Sequence, residues 1–261
     1  MSGDYNVGAN ELKELAGQLN DLLKIRTFPI GLKQFASIEE MEAVDGVRWP
    51  SEGRLHTTCQ IVTQARIAGF TIAATAGNVR GGNCRGVMGF EKPDEPTLSG
   101  ERMTGVWFEN QEGAKAHQDG MIRQVYDTFV GTICSPLRSG RLDPPDIIMF
   151  YGTPGQIILF VNGLQWKRYK RYDMTITGES ACSDSWGRAL RTRETSISIP
   201  CYAERRYGGV ADDEMLIAMP PDEFVRGIEG LQALSKNGLR YPIPPYGAHM
   251  DPSEGMGRSY G

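Results

Sequence analysis

Pro144-Pro145-Asp146-Ile147-Ile148-Met149-Phe150-Tyr151-Gly152-Thr153-Pro154-Gly155-Gln156 is the stretch whose reading decides the fold. Ile147–Tyr151 is a continuous apolar run that leaves no face for water, so it reads as a strand buried on both sides. Gly152-Thr153-Pro154 turns the chain. Pro154 has a fixed φ and no N–H to lose, which suits the first turn of a helix over Gly155–Arg168. A buried strand running straight into a helix is the building unit of helices layered on a sheet.

The same alphabet recurs on either side. Toward the N-terminus, Leu12, Leu15, Leu19, Leu22 and Leu23 mark an amphipathic helix over Glu11–Lys24. Thr27-Phe28-Pro29 ends it, and Ile30–Phe35 alternates as a strand. A short acidic helix is expected over Ile38–Val44, and a further helix over Cys59–Phe70, with Thr57 or Thr58 as its cap. Residues 73–88 are rich in Gly and small residues, a helix is expected over Glu112–Thr128, and Val130–Ile133 is a strand candidate. Toward the C-terminus, Thr175–Thr177, Ser196–Ile199 and Met215–Met219 read as strands, and Ser183–Arg191 and Pro220–Ser235 as helices. The expected fold is α/β or α+β, a single compact domain over residues 1–236 with a mixed sheet flanked by helices. Residues 237–261, rich in Pro and Gly, form a tail that is either mobile or wrapped around a partner subunit in a homo-oligomer.

Composition narrows the function. The net charge of −4 and the scattered basic residues argue against nucleic acid as a partner. The run Lys167–Arg171 reads as a solvated stretch. No apolar stretch approaches the ~20 residues needed to span a bilayer, and no basic-then-apolar leader opens the sequence. A cytoplasmic location is therefore expected, where the five cysteines stay reduced. They are then buried small residues, metal ligands or reactive thiols.

Four of them form a pattern. Cys59 stands at an expected helix start and Cys84 follows in the Gly-rich loop Gly81-Gly82-Asn83-Cys84-Arg85-Gly86; Cys182 stands near another helix start and Cys201 follows in a loop. The echo suggests two similar halves, a pseudo-duplication whose four thiolates meet at one site. Such a site suits an iron–sulfur cluster, [4Fe-4S] foremost, or zinc as the alternative. The absence of tight Cys-x-x-Cys knuckles favours iron over zinc. Cys134 has no matching context and reads as a core residue.

At these residues the chain resembles the family known as domain of unknown function 169. Phe28–Lys33 is similar to its N-terminal strand, Gly81–Gly89 to its Cys/Gly-Gly loop with the order inverted, and Pro145–Gln156 to its central strand–turn–helix. Cys182 with Asp184, Ser196–Cys201 with Tyr207-Gly208, and Asp213–Pro220 resemble further motifs. The resemblance spans roughly residues 10–235. It implies that Cys59, Cys84, Cys182 and Cys201 belong together while Cys134 stands apart, and it implies no reaction.

Around the four cysteines, Arg85, His56 and Glu179 are the candidate catalytic residues. Arg85 would orient a substrate carboxylate or phosphate, and His56 or Glu179 would move a proton. Gly81, Gly82 and Arg80 are the candidate cofactor-binding residues, and Asp184 reads as a helix cap. No P-loop, dinucleotide fingerprint or nucleophile elbow is present. The functional expectation is an iron–sulfur enzyme or redox subunit acting on a small molecule or with a redox partner protein in anaerobic metabolism. The alternative is a non-catalytic module that zinc or a cluster stabilises.

Overall fold

The computed structural model describes residues 7–245. Ten α-helices occur among them: α1 (Ala9–Leu23), α2 (Ile38–Glu42), α3 (Thr58–Arg66), α4 (Gly82–Met88), α5 (Glu95–Leu98), α6 (Gln111–Gly120), α7 (Pro154–Gln165), α8 (Arg188–Thr192), α9 (Tyr202–Gly208) and α10 (Pro221–Lys236). Six strands, β1 (Ile30–Phe35), β2 (Ile72–Thr75), β3 (Gly131–Pro136), β4 (Ile147–Gly152), β5 (Ser196–Ser198) and β6 (Met215–Met219), form one sheet in the order β2-β3-β1-β4-β6-β5. Every ladder between these strands is antiparallel. Parallel pairing is confined to isolated bridges, among them Met174 with Ile197. The helical and strand content and the single compact domain agree with the sequence reading.

The sheet is covered on both faces, which is why β4 is apolar throughout. Successive side chains of a strand point to opposite faces, and β4 divides accordingly. Ile147, Met149 and Tyr151 join one core with residues of α3, α4 and α8, while Ile148 and Phe150 join another with α1, α7 and α10. β6 splits the same way, with Leu216 and Ala218 in the first core and Ile217 and Met219 in the second.

Local chemistry sets the helix ends. Thr57 and Gln60 form a capping box at α3, and Thr153 and Gln156 form another at α7 with Pro154 in its first turn. Gln156 also donates through Nε2 to Leu23 O at 2.8 Å, tying α7 to the end of α1. The expected helix over Glu112–Thr128 ends at Gly120. There Met121 turns extended and Ile122 N donates to Ser183 Oγ at 2.6 Å, so the remaining residues bond to another segment. Thr175–Thr177 forms no named strand. The tail expected from residue 237 onward lies outside the described residues from 246 on, as does His249; residues 237–245 carry no helix or strand. Among the described residues no helix is long and apolar enough to cross a membrane.

Candidate functional site

Four separate segments bring Cys59, Cys84, Cys182 and Cys201 to the same face of the sheet. Cys59 lies in the first turn of α3. Cys84 lies inside α4 rather than in a loop, because the Gly-rich segment closes into a helix once Gly81 takes φ 93°, a left-handed value that glycine adopts readily. Cys182 precedes a π-helical turn over Ser183–Gly187. Cys201 is the N-cap of α9, a helix where a loop is expected. Asp184 sits within the π turn and provides no cap; burial pushes its carboxyl pKa up.

The thiols sense one another's charge. Burial raises the pKa of Cys59 and of Cys182 well above the ordinary thiol value. The proximity of Cys84 and Cys201 raises both further, and Cys59 adds to the shift of Cys182. Cys84 is only partly buried as a residue, yet desolvation also raises its thiol, against a hydrogen bond from the Thr58 backbone that opposes the shift. Cys201 is raised by burial and then by Glu204, while backbone hydrogen bonds from Glu204 and Ala181 pull it back. All four are therefore neutral thiols near pH 7.

The arrangement of side chains corrects the expectation of a metal-binding, iron–sulfur protein. Each sulfur is engaged by its own neighbourhood: Cys59 with Thr57, Cys84 with Thr58, Cys182 with Ser180 O at 3.7 Å, and Cys201 with Ala181 and Glu204. Among the described residues no group of three or more His, Cys, Asp or Glu side chains is arranged to hold a metal ion. The charges of Cys84 and Cys201 nonetheless bear on both Cys59 and Cys182.

The other candidates differ in their surroundings, and of them Glu179 bears on the thiols, its charge raising Cys84 and Cys201. Arg85 pairs with Glu91, leaving its Nε buried without a partner. Glu179 is pushed up by burial, and its Oε2 is buried without a partner. His56 is engaged through its backbone, accepting from Arg80 N at 2.8 Å and donating to Asn78 O at 2.9 Å. Gly82 begins α4, where an added Cβ would press on Thr97 Oγ1 at 3.2 Å, so it serves packing. Arg80 is exposed. The run Lys167–Arg171 is exposed as expected.

What the sequence reading misses is a buried polar network behind the thiols. Cys201 N donates to Glu204 Oε2 at 3.3 Å, and Tyr151 Oη donates to Glu204 Oε1 at 3.2 Å. Burial raises the Glu204 carboxyl, and the bonds from Cys201 and Tyr151 and the charge of Arg66 only partly offset it. Arg66 stacks over the Tyr151 ring at 4.3 Å, pairs with Glu214 at 3.4 Å, and donates to Gly208 O and Gly209 O at 3.2 and 3.1 Å. The signal for Glu204 is in the sequence: Cys201-x-x-Glu204 has the spacing of a capping box, with sulfur in the place of a hydroxyl.

Buried polar atoms left without partners gather on the same segments. Asn83 Oδ1 and Arg85 Nε flank Cys84, Glu179 Oε2 and Trp186 Nε1 flank Cys182, and Ser198 Oγ precedes Cys201. Proteins rarely leave such atoms unpaired, because each costs about 1–3 kcal/mol.

The family domain of unknown function 169, described as an uncharacterised ArCR family, matches residues 18–230. The chain belongs to this family. It is also similar to the uncharacterised protein MJ0308 of Methanocaldococcus jannaschii, with 26% identity over 229 residues covering 85% of this chain and 94% of that protein. No solved structure matches. All four clustered cysteines, and the Glu204 and Arg66 that back them, fall within the family span.

Proposed function

We propose that this member of the family is a thiol-based redox protein acting on a small polar molecule at the four-cysteine face. One observation carries the reading: the charges of Cys84 and Cys201 reach both Cys59 and Cys182, and the segments that carry these thiols also carry buried polar atoms that lack partners. Unpaired buried donors and acceptors are what a ligand satisfies on binding. Two of the thiols give up two protons and two electrons and become a disulfide. The S–S bond of a disulfide-bearing small molecule breaks and takes them up as two thiols. Burial keeps the resting thiols protonated and slow to react. Glu204, bonded to the Cys201 backbone, is the carboxylate placed to accept a thiol proton.

The test is differential alkylation with mass spectrometry on the full chain, purified without oxygen and equilibrated in glutathione buffers of increasing potential. The expected result is that two of Cys59, Cys84, Cys182 and Cys201 convert reversibly to a disulfide while Cys134 stays a thiol. Five thiols persisting across the whole range would overturn the reading. So would stoichiometric iron with sulfide, or stoichiometric zinc, in the same preparation.

A further inference from the structure

A second concave site lies at the other end of α3 from Cys59. Phe28 N donates to Arg66 O at 2.9 Å, so the segment between α1 and β1 is pinned to the last turn of α3. Between that segment, α1 and Arg138 opens a cleft of about 370 Å³. Its polar wall consists of donors and cations: the Lys13 ammonium, the Asn20 amide, the Thr27 hydroxyl, and the guanidinium groups of Arg26 and Arg138. No carboxylate lines it, although the chain carries net charge −4.

These cations are not equivalent. Arg26 is held by both oxygens of Asp213, at 2.6 and 2.5 Å, so its charge is matched. Among the described residues neither Lys13 nor Arg138 forms an ion pair. The Arg138 guanidinium carbon lies over the Phe28 ring, 3.5 Å from its centroid, which holds the cation at the cleft. Thr27 Oγ1 is buried with no hydrogen-bond partner. Ile25, Phe28 and Pro29 supply an apolar floor. A mostly apolar cleft with a few converging donors is the usual form of a small-ligand site.

We propose that this cleft binds a compact organic anion, whose carboxylate or phosphate takes Lys13 and Arg138 and whose body rests on Ile25, Phe28 and Pro29. The site is independent of the thiol chemistry: it uses none of the four cysteines and stands whether or not they cycle. Gly17 provides a clean block. It sits on α1 at the cleft, and a Cβ added there meets nothing within 4 Å. Gly17→Leu therefore fills the cleft without disturbing the core, and leucine favours the helix over glycine.

The experiment is isothermal titration of the full chain at low ionic strength with phenyl phosphate and with benzoate. Benzyl alcohol and benzylamine serve as neutral and cationic controls of the same shape. The expected result is binding of at least one anion with a Kd on the order of millimolar or tighter, weakened at least about tenfold by Lys13→Glu and lost in Gly17→Leu, which keeps its thermal midpoint. The proposal is overturned if neither anion binds the wild type, if the controls bind as tightly, or if Gly17→Leu binds as the wild type does.

Discussion

The two faces of the sheet are built on opposite terms. On one, α7 and α10 meet almost backbone to backbone: a Cβ on Gly230 would stand 1.9 Å from Gly163 O, and one on Gly227 would stand 2.4 Å from the Phe160 ring. Phe150 meets Phe160 edge to face at 5.0 Å, Phe160 stacks with Phe224 at 6.2 Å, and the cluster there is apolar. On the other face the same strands meet a buried Arg66–Glu214 pair and the Tyr151–Glu204 bond, and the segments that carry the four thiols also carry buried polar atoms without partners. The first face is closed by shape alone. The second accepts desolvated polar groups that stability would not select. Where a fold tolerates such a cost, the tolerance points to function.

The comparison can be broken by substitution, and the largest effect is expected on the apolar face. Gly230→Val forces a side chain into the Gly163 carbonyl and so drives α10 off α7. Urea unfolding should show a loss of about 3 kcal/mol or more. A loss near zero would mean the two helices can slide apart freely, and the face is not closed by shape. On the polar face, Glu214→Ala leaves the Arg66 guanidinium buried without its carboxylate and should cost about 3 kcal/mol. Because the Gly208 and Gly209 carbonyls still hold that guanidinium, this variant should stay folded, whereas Gly230→Val unfolds part of the population at 37 °C.

The smallest effect sharpens the comparison through pH. Cys134 lies in β3, fully buried with no charged neighbour, and burial alone pushes its thiol up to about 12. A thiol raised in the folded state keeps its proton after the unfolded chain has lost one. Its contribution is complete below the unfolded value of 9.0 and drains away as pH rises from there toward about 12. Wild type should thus lose about 1 kcal/mol more than Cys134→Val for the step from pH 9 to pH 10, read from urea midpoints. Equal losses would show that this thiol is already solvated in the native state.

Several elements are legible in the residues because they rest on local chemistry. Ile30–Phe35 and Met215–Met219 are strands at the expected boundaries. The leucine stripe of α1, the Thr57 cap and the Pro154 start are seen directly in the sequence. The grouping of Cys59, Cys84, Cys182 and Cys201 apart from Cys134 is an expectation drawn from the echo of context and the family resemblance. Among the described residues no metal-holding group is found, because spacing along the chain says nothing of where a sulfur points once the fold is made. Glu204 is missed because a charged residue immediately before a pair of arginines reads as surface.

By itself, then, the sequence determined the longer helices, most of the strands and the family, since periodicity, caps and motifs are properties of neighbours in the chain. Only the tertiary structure decided that the sheet is antiparallel, that Arg66 and Glu204 are buried behind the thiols, and that Lys13 and Arg138 share a cleft. Those facts depend on contacts between segments distant in the chain, such as Arg66 with Glu214, and their energy comes from desolvation that no local window of sequence contains.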